Sequence, residues 1–119
     1  MKRGEVWEVN LDPSVGAEIN KTRPAVIVSH DSIGRLPLKI VVPITEWDPN
    51  FARAAWHIPI DAINQKGLIK KSSADTFQVR SVSQKRLVSK LGELTQEDMI
   101  GIEQGLIISL GLSQRIDLE

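Results

Sequence analysis

Before Thr95 the chain is cut by glycine, proline and Asx residues into short apolar runs, and only the segment that follows carries helical spacing. Short strands between turn signals point to a small, strongly curved sheet or barrel. Glu5–Leu11 alternates as a half-buried strand, with Trp7, Val9 and Leu11 expected on the inner side. A long polar loop opens at Asp12-Pro13 and runs through Thr22. Ala25–Ser29 and Lys39–Ile44 are strand-length runs, with Gly34 and Pro37 punctuating between them. Pro43 should mark a strand end, an edge or a bulge, because it cannot donate to a ladder. Ala55–Ile60 and Gly67–Val82 supply further strands, the second broken near Lys71-Ser72. Thr95–Leu110 reads as a helix: Thr95 caps it, Glu97 and Asp98 suit its positive end, and Gly111 closes it. Its apolar stripe is Met99, Ile102, Leu106 and Leu110, widened by Ile100 and Ile107. Gly101 and Gly105 would either admit a second helix or be merely tolerated.

At 119 residues, one domain spanning 1–119 is expected. The chain has no cysteine, which removes thiolate nucleophiles, disulfides and cysteine-ligated zinc. Two histidines cannot build a histidine-rich metal site, and no phosphate-binding loop, dinucleotide fingerprint or hydrolase motif occurs. Neither a metal nor a cofactor is expected. The polar start argues against a secretory leader, and charge breaks every run long enough to span a bilayer. Fifteen basic residues balance fifteen acidic ones. Residues 66–90 nevertheless hold seven cations (Lys66, Lys70, Lys71, Arg80, Lys85, Arg86 and Lys90) against Asp75 alone. Residues 91–119 hold Glu93, Glu97, Asp98, Glu103, Asp117 and Glu119 against Arg115. Such a division fits either a polyanion-binding face with an acidic back or an ordinary charged surface.

Three features carry possible chemistry. The loop before Pro24 presents Glu18, Asn20, Lys21 and Arg23, and Pro24 pushes Arg23 into an extended conformation from which its guanidinium could fork onto a phosphate. Thr45, after Pro43-Ile44, offers a hydroxyl at a strand end. Trp47, Phe51 and Trp56 are three of the five aromatics and fall in one loop with His57. Either nucleic-acid bases stack on these rings, at about 1–3 kcal/mol each, or one tryptophan plugs the core and another covers a subunit interface.

The runs Arg3-Gly4-Glu5-Val6-Trp7, Leu11-Asp12-Pro13-Ser14-Val15-Gly16-Ala17-Glu18 and Lys21-Thr22-Arg23-Pro24-Ala25-Val26-Ile27-Val28-Ser29 resemble the MazF/PemK toxin family. The similarity continues through Pro43-Ile44-Thr45, Gly67-Leu68, Ser72, Gln78-Val79-Arg80, Lys85-Arg86-Leu87 and Gly92-Glu93-Leu94, so it covers nearly the whole chain. The resemblance implies an α+β fold, a small SH3-like barrel with a C-terminal helix. It also implies a cytoplasmic homodimer, a single-stranded RNA substrate cleaved without metal, and a cognate acidic antitoxin. On this resemblance Arg23 and Thr45 match the catalytic arginine and threonine, Glu18 matches a family glutamate and is the expected base, and Ser72, Gln78 and Arg80 match positions around the RNA groove or dimer interface. Asn20, Lys21, Trp47, Phe51, Trp56 and His57 complete the expected RNA-binding set. The chain departs from the family pattern at Ile19-Asn20, where Gln-Gly is common, at His30, and at Glu46, which should point away from a phosphate or act as a base. The same barrel also implies an alternative: a non-nuclease toxin of the CcdB kind that inhibits DNA gyrase by contact.

Overall fold

The computed structural model describes residues 1–33, 35–61 and 66–113. Gly34, Arg115, Asp117 and Glu119, used above as a turn signal and as charges, lie outside these residues. Seven strands form one curled antiparallel sheet: β1 Glu5–Asn10, β2 Thr22–Ile27, β3 Leu38–Glu46, β4 His57–Ile60, β5 Ser72–Asp75, β6 Arg80–Ser83 and β7 Leu87–Glu93. The hydrogen-bonded path runs β4-β5-β3-β2-β1-β7, and β6 pairs with β3. No ladder joins β4 to β7 among the described residues, so the barrel is open. One α-helix among the described residues, α1 Gln96–Leu110, packs over one end. The α+β barrel-plus-helix class expected from sequence is the one observed.

β3 organises the sheet. Its first half pairs with β6 (Leu38↔Ser83 to Val41↔Arg80), its middle with β2 (Ile27↔Val41 to Ala25↔Pro43) and its last three residues with β5 (Ile44↔Ala74 to Glu46↔Ser72). Pro43 therefore sits inside a nine-residue strand, at the point where β3 changes partners and a missing N–H is tolerated. The run expected over Gly67–Val82 divides differently from the sequence reading. β5 begins at Ser72, but the break that separates it from β6 is a 3-10 turn at Thr76–Gln78, where the Asp75 side chain accepts from the Phe77 N–H at 3.2 Å.

The sheet encloses two apolar clusters. One gathers Val6, Val26, Val42, Ile44, Ile60, Leu68, Ala74, Leu94, Met99 and Ile102; the other gathers Val9, Leu11, Ala25, Ile27, Val41, Val82 and Leu87. β1 contributes to both, because register shifts against β7 at Val6/Trp7 and Glu8/Val9 interrupt its alternation. Val6 is buried as a result, and Trp7, expected inside, is only partly so.

α1 starts with the expected cap. Thr95 Oγ1 accepts from the Asp98 N–H at 3.1 Å and the Asp98 carboxylate accepts from the Thr95 N–H at 3.2 Å, while Gly111 takes a left-handed φ of 64°. Its buried face is narrower than the stripe read from sequence: Met99, Ile102 and Gly105 are buried, whereas Ile100 and Leu110 are exposed. The two glycines admit a strand and a turn instead of a helix. A Cβ on Gly105 would lie 2.8 Å from Thr76 Cγ2 and 2.9 Å from Ile58 Cδ1, and one on Gly101 would lie 3.2 Å from Ile58 Cγ2.

Candidate active site

Two prolines set the geometry of the site. β2 and β3 are paired only from Ala25↔Pro43 inward; beyond that rung Thr22–Pro24 stays on β1 while Ile44–Glu46 turns to β5. Pro24 can occupy β2 because its strand has lost its β3 neighbour there. Arg23, expected in a loop, is a strand residue opposite Val9. Between the diverging strands lies a cavity of about 190 Å³, lined by Arg23 and Pro24 on one side, Ile44, Thr45 and Glu46 on the next, and Gly67 to Lys70 with Ser72 on the third.

Arg23 and Thr45 thus face one space. The Arg23 Nε donates to the Asn20 carbonyl at 3.2 Å, which holds the exposed guanidinium, and no carboxylate pairs with it among the described residues. Thr45 is half-buried, and its hydroxyl has no partner among those residues. An unneutralised guanidinium and a free hydroxyl on rigid strands can bind a phosphate and stabilise added negative charge on it. Ser72 also lines the cavity, but its Oγ donates to the Lys70 carbonyl at 2.9 Å. Glu46 stands on the rim, where its exposed carboxylate is 3.7 Å from Lys70 Nζ.

Glu18 lies elsewhere. Its carboxylate accepts from the Val15 N–H at 2.6 Å, and it lines a second, larger pocket of about 470 Å³ with Ile19, Pro43, Phe77, Gln78 and Arg80. Gln78 and Arg80 serve the loop between β1 and β2: Gln78 accepts from the Ile19 N–H at 2.7 Å and donates to Asp75 at 3.2 Å, and Arg80 donates to the Leu11 carbonyl at 3.2 Å. Lys21, exposed at the loop's end, holds a left-handed φ of 65°, and its N–H donates to Asp12 Oδ1 at 3.0 Å.

The rings form a ladder leading away from Thr45. Trp47 stands edge-on to Phe51 at 5.9 Å, Phe51 stacks parallel on His57 at 3.7 Å, and Trp56 lies 6.1 Å from both His57 and Phe77. Asp48 caps the 3-10 turn Pro49–Arg53 that carries Phe51, His57 Nδ1 lies 2.8 Å from Ser73 Oγ, and Lys71 Nζ sits 4.8 Å above Trp47. Neither Trp47 nor Trp56 is buried in a core cluster. Phe77 was missed from sequence; it is 67% exposed, and an aromatic isolated between Asp75 and Gln78 was the only available sign.

Three of the seven cations in residues 66–90 are neutralised by carboxylates, and two more are tied to the loop. Lys66 pairs with Asp98 at 2.8 Å, Lys90 with Glu93 at 2.9 Å and Glu5 at 3.3 Å, and Lys70 with Glu46, while Arg80 and Arg86 bind backbone carbonyls of the loop. Among the described residues, no group of three or more His, Asp or Glu is placed to hold a metal ion.

Residues 2–110 match the family model described as the PemK-like, MazF-like toxin of type II toxin–antitoxin systems. The chain belongs to this family. It is 31% identical over 118 residues to endoribonuclease MazF9 of Mycobacterium tuberculosis, covering 94% of this chain and 98% of that one. It is 36% identical over 114 residues to endoribonuclease MazF of Staphylococcus epidermidis, covering 95% and 93%. The fold is similar, with a TM-score of 0.76 at 18% identity, to a mycobacterial endoribonuclease solved in complex with its cognate antitoxin, over 97% of this chain and 99% of that one. Where this MazF-like chain departs from the family's pattern, Ile19 packs against the second core cluster and His30 bonds Ser32, away from the cavity.

Proposed function

We propose that this MazF-like toxin is a sequence-selective, metal-independent endoribonuclease that cleaves single-stranded RNA within the Arg23–Thr45 cavity. The reading rests on one observation above all: a guanidinium that no described carboxylate neutralises and a hydroxyl with no described partner line one cavity where β2 and β3 diverge. The 2′-oxygen attacks the adjacent phosphorus, the P–O5′ bond breaks, and a 2′,3′-cyclic phosphate and a 5′-hydroxyl result. Arg23 stabilises the charge on the phosphorane oxygens; a guanidinium with a pKa above about 12 acts by charge and not by giving up its proton. Thr45 orients the scissile phosphate. A carboxylate takes the 2′-proton, and the departing 5′-oxygen takes a proton from solvent to become the hydroxyl. The resemblance read from the sequence gives the role of base to Glu18, which would have to act from another pocket, while Glu46 stands on the cavity, so pH–rate profiles of Glu18→Gln and Glu46→Gln separate the two.

Flanking nucleotides stack on Trp47, Phe51, His57 and Trp56, with Asn20, Lys21 and Ser72 at the groove's edge. Gln78 and Arg80 shape the groove by holding the loop. The chain acts as a single-domain homodimer in the cytoplasm, and an acidic antitoxin neutralises it. No described helix is long and apolar enough to cross a membrane. Arg23→Ala should lower the cleavage rate at least about 10²-fold, the usual loss on removing one transition-state donor, with the fold unchanged by circular dichroism. A folded Arg23→Ala protein that cuts at the normal rate contradicts the assignment. RNA left intact by the unaltered protein contradicts the nuclease reading as a whole and favours inhibition by contact.

A further inference from the structure

Two walls of the Arg23–Thr45 cavity are strands fixed by ladder hydrogen bonds, but the third, Gly67 to Lys70, lies before β5 begins. What fixes that wall is an ion pair at its root. Lys66 is 4% exposed, and its Nζ lies 2.8 Å from Asp98 Oδ2. The same oxygen accepts from the Thr95 N–H in the helix cap. The wall's first residue, Gly67, has a φ of +73°, and a Cβ there would lie 2.5 Å from the Leu91 carbonyl oxygen, so the chain can leave Lys66 in one direction only. Leu68 follows into the main core cluster, and at the far end the Trp47 N–H donates to the Lys71 carbonyl at 3.0 Å.

We infer that Lys66 and Asp98 are positioning residues for the reaction: their buried pair ties the cavity's third wall to the N-terminus of α1 and so sets its distance from Arg23 and Thr45. This inference rests on the nuclease reading. Neither residue touches the cavity, and neither is part of the family match read from the sequence. Removing the Asp98 carboxylate leaves Lys66 an uncompensated buried charge, and removing the Lys66 ammonium leaves the half-buried Asp98 held by the helix cap alone; either change frees the segment to move. A displacement of about 1 Å at a reacting group costs on the order of 10²-fold in rate.

The test uses the full chain and a labelled single-stranded RNA oligonucleotide, with kcat and KM measured separately at a temperature where circular dichroism shows each variant folded. Lys66→Met and Asp98→Asn should lower kcat at least about tenfold. The change in KM should be smaller, because Phe51, His57, Trp56 and Phe77 are left in place, and Lys66→Arg should recover most of the rate. Lys66→Met/Asp98→Leu replaces the pair by apolar groups and keeps the protein folded if a single variant does not; its kcat should stay low. Folded variants with unaltered kcat and KM overturn the inference while leaving the nuclease reading standing. Absence of cleavage by the unaltered protein removes both.

Discussion

Replacing Gly105 by alanine sets two effects against each other. Alanine is favoured in a helix interior by about 1 kcal/mol. The new methyl would meet Thr76 Cγ2 at 2.8 Å and Ile58 Cδ1 at 2.9 Å, and overpacking costs about 1–3 kcal/mol. Thr76 cannot yield readily, since its hydroxyl donates to the Trp56 carbonyl at 2.7 Å and lies 2.9 Å from Ser109 Oγ. Gly105→Ala should therefore lower the melting temperature by several degrees, and a variant at least as stable as the parent would show that α1 is not seated on β4 as described. At this scale the chain was partly readable. Arg23-Pro24 was visible as a rigid, extended pair and Thr45 as a strand-end hydroxyl; that both line one cavity depends on the sheet. What the sequence could not show is that Glu18 turns to Val15 and another pocket, because side-chain direction depends on Gln78 and Arg80, some sixty residues away, gripping the loop.

Among the elements, β1 and β7 are tied by Glu5. Burial by itself would raise its carboxyl pKa, but donation from Trp7 Nε1 and the Lys2 N–H, together with Lys90, outweighs burial and holds it at about 2. A pKa below the unfolded value of about 4.3 means that the folded state binds the proton less well. This contribution to stability is complete above that unfolded value and is lost as pH falls towards 2. Denaturant midpoints should accordingly drop between pH 5 and pH 2, and Glu5→Gln should flatten that part of the profile; an equally steep fall in the variant would assign it to other carboxylates. β1 also shows why element edges were legible when element faces were not. Its limits follow from turn residues, but two register shifts against β7 send Val6 and Val9 to different cores, and nothing within a single strand signals its partner's register. Pro43 was readable as an irregularity; its meaning, a change of partner from β2 to β5, belongs to the sheet.

For the whole molecule, the balance of fifteen cations and fifteen anions conceals ion pairs that neutralise part of the basic segment. Linear charge patterning over residues 66–90 fits either a polyanion surface or an ordinary charged one. Folding brings Asp98, Glu46 and Glu5 onto Lys66, Lys70 and Lys90, long-range contacts that no local window displays, and only Lys90–Glu93 is a local pair. RNA affinity should then depend weakly on salt. With about two or three phosphates neutralised, and a slope of about −0.7 per phosphate on single strands, a log–log plot should fall by no more than about 2 per decade. A slope twice as steep would restore the basic-face reading. The central claim, that Arg23 and Thr45 promote attack by the neighbouring 2′-oxygen, is tested most directly by mass analysis of the ends produced from a single-stranded RNA oligonucleotide in excess EDTA. Cleavage should be unimpaired, with a 2′,3′-cyclic phosphate and a 5′-hydroxyl, and should fail where a 2′-deoxy residue replaces the nucleotide before the cut. Ends bearing a 3′-hydroxyl and a 5′-phosphate, or cleavage abolished by EDTA, would contradict that claim.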